Sequence, residues 1–198
     1  MDAQTPVERL RFTPRGIAAI AAVFLLACAA EIAMGRPFFG PVGFGIWVWD
    51  IWSAANSQYL VDPYSFSHLV HGFLFFAILN LLARKLSLER RLLIAVALEA
   101  GWELLENSPI IINRYRQATI SLGYEGDSII NSMSDIAMMT LGFLAASRLR
   151  VWQSVVAVLT MELGCLLLFR DNLTLNIIML IAPIDAIKSW QMAGRPPL

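Results

Sequence analysis

The chain alternates long apolar runs with short polar interruptions, and the runs are long enough to define elements. Crossing the roughly 30 Å hydrocarbon core of a bilayer takes about 20 mostly apolar residues, about 17 at the short end. Six stretches qualify to within a residue or so, at residues 16–35, 66–83, 92–107, 128–146, 151–169 and 173–188, the third and sixth being the shortest. The pattern predicts an all-α fold, a polytopic membrane helix bundle of about six transmembrane helices. With no internal repeat and no low-complexity linker, residues 1–198 read as a single integral-membrane domain. The turns at 84–91 and 147–150 are short and hold neighbouring helices antiparallel. The connections at 36–65 and 108–127 are long, and long loops more often carry function.

Composition supports the pattern. Of the 198 residues 58% are hydrophobic and 15% charged, whereas a soluble domain runs near 45–50% and 25%. So little polar surface excludes disorder and an ordinary soluble globule. The 15 Lys and Arg balance the 15 Asp and Glu, so the basic excess of a nucleic-acid binder is missing. The partner implied is the lipid bilayer. With a cytoplasmic N-terminus, Arg9, Arg11, Arg15, Arg84, Lys85, Arg90, Arg91, Arg148, Arg150, Lys188 and Arg195 lie inside, and Arg36, Arg114, Arg116 and Arg170 outside. Eleven against four is a positive-inside bias. It predicts a multi-pass protein of the inner (cytoplasmic) membrane with both termini cytoplasmic. Trp47, Trp49, Trp52, Tyr59 and Tyr64 then form an aromatic belt at the outer leaflet. Leu25 to Cys28 also reads as a lipoprotein processing box, but the apolar run continues to Met34 and can span uncut. Cys28 and Cys165 both fall within spans, where a thiol behaves as a small hydrophobe.

Ionisable groups inside spans cost about 2.5–3.5 kcal/mol each on insertion scales, so their positions carry information. Glu99, Glu103 and Glu106 share one stripe of the third span at helical spacing. Asp127, Asn131 and Asp135 do the same on the fourth, and His68 and His71 on the second. The second span begins at the outer surface, the third ends there and the fourth begins there. His68, His71, Glu103, Glu106, Asp127 and Asn131 are therefore expected at one depth in the outer half, with Glu99 and Asp135 about a turn deeper. Arg170, Asp171 and Asn172 reach that level from the last hairpin, and Arg114 and Arg116 can fold over it. The expectation is a polar pocket open to the periplasm.

Three chemistries fit such a pocket. His68, His71, Glu103 and Asp127 could hold a divalent metal ion, since imidazoles and carboxylates on facing helices build such sites. Glu103 or Glu106 could serve as base, His71 as acid or ligand, and Asp127 with Asn131 as positioning groups. On that reading His68, Arg114, Arg116, Arg170, Asp171 and Asn172 hold the substrate, a lipid or lipid-linked molecule whose phosphate meets arginine. A ladder of acids could also relay protons. The plain alternative is that these groups pair and glue helices together. Function then divides between an envelope enzyme or lipid-binding protein, a non-catalytic scaffold docking through its Trp-rich segment, and a transporter. Elsewhere, Glu162 is mid-span and must find a partner, Glu31 joins the pocket or faces water, and Asp185 pairs with Lys188. Gly101, Gly142 and Gly164 allow close helix approach.

Four segments, WVWDIWSAANSQYLVDPYSFSHLVHG from Trp47, EAGWELLENSPIIINRYRQ from Glu99, GYEGDSIINSMSDI from Gly123 and RDNLTLNIIMLIAPIDAIKSWQ from Arg170, resemble a bacterial inner-membrane family. It is the one catalogued as domain of unknown function 2585, or uncharacterised protein family 0314. The resemblance covers nearly the whole chain beyond the first span and implies location and topology. More distantly, Ser67-His68, Glu103 or Glu106, and Asp127 with Asn131 are similar in layout to VanZ-type proteins, although Ser134-Asp135 stand where that pattern has a glycine. That resemblance implies a role at the cell envelope.

Overall fold

A computed structural model describes residues 12–195. Its elements are all helical: α1 (Pro14–Ala33), α2 (Ser65–Leu82), α3 (Leu88–Glu106), α4 (Pro109–Ala118), α5 (Ile129–Ala146), α6 (Val151–Phe169), α7 (Leu173–Ile181) and α8 (Asp185–Met192). Side-chain caps begin several of them. Thr13 accepts from the Gly16 amide ahead of Pro14, Ser87 from Arg90, Ser128 from Asn131 and Asn172 from Leu175, each satisfying an amide the helix leaves free. The Ser87 cap starts α3 four residues before the apolar run that marks it in the sequence.

Five helices, α1, α2, α3, α5 and α6, run from one end of the bundle to the other. At one end Thr13 donates to the Glu89 carboxylate through its amide and its hydroxyl. At the other, Arg36 donates to the Asp127 carbonyl and Asn107 to the Asp127 carboxylate. Thus α1 and α3 run in parallel, with α2 and α5 opposed to them. α1, α2, α5 and α6 are each long and apolar enough to cross a membrane. α3 matches them in length but carries six charged residues, of which Arg91, Glu99 and Glu103 are buried. It sits against α1 and α5 over a core of Leu92, Ala95, Val96, Ile136, Met139 and Phe143.

α2 and α5 form the tightest pair. A Cβ on Gly142 would stand 2.1 Å from the Leu69 carbonyl oxygen, and one on Gly72 would stand 2.2 Å from that of Met139. Both glycines let the two backbones touch, as small residues do between membrane helices. Gly101 and Gly164, expected to act alike, have nothing within 4 Å of that position and face outward.

The run at 173–188 is not one span. α7 has nine residues, about 14 Å at 1.5 Å per residue, and Pro183 stops it because proline has no amide to donate and restricts Ala182 before it. α8 then folds back. Arg170 donates to the Trp190 carbonyl, and the Gln191 amide donates to the Arg170 carbonyl and to Asp171. The guanidinium of Arg195 lies over the Trp52 ring. The described ends of the chain therefore lie at opposite ends of the bundle, contrary to the shared face expected. Lys188 and Arg195 lie at the Arg170 end, and among the described residues the basic side chains divide seven against six, a difference of one in the expected sense; Arg9 and Arg11 lie outside the described residues. Lys188 donates to the Gln117 carbonyl rather than to Asp185. Glu162 finds its partners here, accepting from the amides of Leu173 and Thr174 and the Thr174 hydroxyl. A mid-helix carboxylate on α6 thus sits at the positive end of α7.

Candidate functional site

The connection between α1 and α2 decides the geometry of the polar cluster. Asp62 is buried and takes three amides, from Ser57, Tyr64 and Ser65, and its burial pushes the carboxyl pKa up. This holds Ser57 in the left-handed region at φ 62° and brings the start of α2 down into the bundle. The Ser65 hydroxyl then donates to Asp135 at 3.0 Å, two turns below the start of α5. The histidines are consequently deeper than expected, and the polar groups form two tiers instead of one.

In the lower tier, His68 Nδ1 lies 2.7 Å from Glu99 Oε1, and His71 Nδ1 lies 2.9 Å from the same oxygen. His68 Nδ1 is also 3.4 Å from Glu103, and its Nε2 is 3.7 Å from Asp135 Oδ2. In the upper tier, Asp127 accepts from the Tyr124 hydroxyl at 2.9 Å and the Asn107 amide at 3.3 Å. Its own amide donates to Asn107. Burial pushes the Asp127 carboxyl up to about 6 and the Tyr115 and Tyr124 phenols well above their usual range. Glu103 links the tiers. Three sets of donor atoms lie within 4.8 Å of one another: His68, His71 and Glu99; His68, Glu103 and Asp135; and Glu103, Glu106 and Asp127. The four-residue metal set expected from sequence is thus divided, with Asp127 falling among carboxylates alone.

These groups line a cavity of about 820 Å³. Part of the lining is polar, from His68, His71, Glu99, Glu106, Asp127 and Asp135 with Tyr115 and Tyr124, and part is apolar, from Leu74, Phe75 and Ile78 of α2, Trp102 of α3, and Ile177 and Leu180 of α7; on α2 the apolar residues continue the histidine stripe at helical spacing. Leu74, Ile78 and Ile177 are exposed on the flank of the bundle as well, so the apolar lining continues onto the outer surface.

The remaining expected site residues serve the scaffold. Arg114 donates to the carbonyls of Leu180 and Ile181 at the end of α7, Arg116 to that of Tyr124, and Arg170 to that of Trp190. None of the three reaches the cavity wall, whose arginines are Arg36 and Arg195. Asn131 touches the cavity but donates to the Tyr59 carbonyl. Asn172 caps α7, and Asp171 accepts from the Tyr64 hydroxyl and Gln191. Tyr64 is therefore a strut inside the bundle, whereas Trp47 and Trp49 are exposed with Phe38, Phe39 and Phe44, as an interfacial belt requires. Glu31 is fully buried. Sequence reasoning expected Glu99 and Asp135 on these stripes about a turn deeper than the other polar groups, and did not point to Asp62, Asn107, Tyr115 or Tyr124. For Asp62 the signal was present, since an acid three residues before Ser65 at a helix start is a capping pattern.

Fold and site define a helical membrane protein with an acidic, histidine-bearing chamber between its helices. The chain belongs to the family described as protein of unknown function (DUF2585), whose model matches residues 31–193. A UPF0314 protein of Sphingopyxis alaskensis is 47% identical over 88% of this chain and 93% of its own. One from Rhizobium meliloti is 47% identical over 86% and 91%, and one from Agrobacterium fabrum is 49% identical over 87% and 88%. No solved structure matches the chain.

Proposed function

We propose that the protein binds the polar head of a lipid or lipid-linked molecule from the outer leaflet of the inner membrane and acts on it by acid–base chemistry. The observation that carries this reading is the mixed lining of the cavity, in which acids and imidazoles share one space with Leu74, Ile78, Ile177 and Leu180. An amphiphile suits such a lining, its head hydrogen-bonded and its chain passing between α2 and α7 into the bilayer. The exposed aromatic residues Trp47 and Trp49 near the chamber end suit an interfacial position there, and the sequence's positive-inside reading makes that end the outer one.

Carboxylates dominate the polar lining, and Arg114, Arg116 and Arg170 are engaged with backbone carbonyls. The lining thus suits a head group rich in hydroxyl or amino donors more than a bare phosphate. Glu106 and Asp127 stand at the upper tier, within reach of an entering head group, with Glu103 behind them and His71 on the lower wall. Below the histidines come Leu92, Val96, Ile136, Met139 and Phe143, all fully or almost fully buried. That apolar layer supports a blind pocket over a path through the membrane.

The test is native mass spectrometry of the full-length protein released from its own membrane, followed by incubation with bacterial lipid extract. Wild type should carry about one lipid per chain and alter a component of the extract. Glu106→Gln and Asp127→Asn should keep the lipid and lose the conversion. Wild type free of lipid, or product profiles identical across the three proteins, would count against the proposal.

A further inference from the structure

The structure assigns a divalent transition-metal site to His68, His71 and Glu99. The two imidazoles stand one turn apart on α2, and both aim Nδ1 at a single oxygen of Glu99 on α3, at 2.7 and 2.9 Å. Three donors from two packed helices thus converge on one point, which is how helical bundles build metal centres. All three residues also line the cavity, so a fourth position is left for water or substrate. Three protein ligands plus an open position is the pattern of a catalytic rather than a structural zinc site.

Two independent observations support a cation at this point. The first is Glu103, which is fully buried and has no hydrogen-bond partner among the described residues for either carboxyl oxygen. One of those oxygens lies 3.4 Å from His68 Nδ1, so an unsatisfied carboxylate is aimed at the same place. A buried carboxyl of that kind either keeps its proton or shares its pocket with something positive, and a metal ion here would supply the second. The second is the arrangement behind His68. Its other ring nitrogen faces Asp135 at 3.7 Å, and Asp135 is fixed by the Ser65 hydroxyl. A carboxylate in that place supports a ligating imidazole once the two close to hydrogen-bond distance.

Two nitrogens and one carboxylate favour zinc or a similar borderline ion; magnesium and calcium take oxygen ligands. The upper triad of Glu103, Glu106 and Asp127 consists of carboxylates alone, and no ion is assigned to it. The site does not depend on the cavity holding a lipid, because its test reads the metal alone.

The full-length protein is purified in detergent, stripped with chelator and titrated with cobalt(II), a spectroscopic substitute for zinc. Wild type should take up about one cobalt per chain and show the visible bands of a low-symmetry site with nitrogen and oxygen ligands. His71→Ala and Glu99→Gln should weaken uptake at least tenfold, and Asp135→Asn by about tenfold, as loss of a supporting carboxylate does. Gly101→Ala, on the outward face, should match wild type. X-ray absorption of the zinc-loaded wild type needs no variant and should show two imidazoles on the metal. Wild type without stoichiometric uptake, a zinc shell lacking imidazole, or full uptake by folded His71→Ala would each overturn the assignment.

Discussion

Two carboxyls outside the spans give the chain a pH response that can be checked one residue at a time. Burial holds both Asp127 and Asp171 near 6, above the usual carboxyl value near 4. Folding therefore favours their protonated forms. The stability they contribute is fully present below about pH 4 and is lost as pH rises through about 6. At about 1.4 kcal/mol per pH unit between the two values, each accounts for at most about 3 kcal/mol. Thermal unfolding in detergent should show a falling midpoint across that window, and Asp171→Asn should flatten it. An unchanged slope in the variant would remove Asp171 from the account. The stripes of Glu99, Glu103 and Glu106, and of Asp127, Asn131 and Asp135, were legible in the sequence because helical spacing alone places them. The roles of Arg114, Arg116 and Arg170 were not, because their targets are backbone carbonyls brought near only by the tertiary fold. The depth of the histidines was also hidden, since it depends on how Asp62 folds the connection before α2.

At the scale of elements, α2 and α5 depend on a contact that admits no side chain. Gly142→Ala places a methyl group against the Leu69 carbonyl and should destabilise the bundle by about 1–3 kcal/mol, the usual cost of overpacking. Gly101→Ala, in open space on α3, should be neutral or stabilise by up to about 1 kcal/mol. Chemical or thermal unfolding of both variants checks the pair, and equal effects would contradict the packing. The α7–α8 hairpin depends on Glu162. Glu162→Ala removes the acceptor for two amides at the start of α7 and should cost about 1 kcal/mol, in the range of a lost helix cap. Faster hydrogen exchange confined to residues 173–181 is the expected signature. Five helices were readable as apolar runs, α3 with the least margin because its run carries three glutamates. The last run was misread because its length and apolarity suffice for a span. Only Pro183 and the contacts of Gln191 with Arg170 and Asp171 turn it back.

Across the whole molecule, five end-to-end helices followed by a returning hairpin set the N-terminal and C-terminal sides apart. In a cysteine-free background, Arg195→Cys and Glu125→Cys should react with a membrane-impermeant maleimide from one side, and Lys85→Cys and Arg148→Cys from the other. Labelling of Arg195→Cys together with Arg148→Cys would restore a sixth span. The hairpin also contributes to the apolar lining of the chamber, through Ile177 and Leu180 beside Leu74 and Ile78 of α2. A single element thus sets both the topology and the shape of the pocket. The most direct measurement is an experimental density map of the protein held in a disc of its own bacterial lipids. It should show a head group beside Glu106, Asp127 and Tyr115, with a hydrocarbon chain leaving between Leu74, Ile78 and Ile177. A cavity containing only water, or α7 closed against α2 with no room for a chain, would contradict the account.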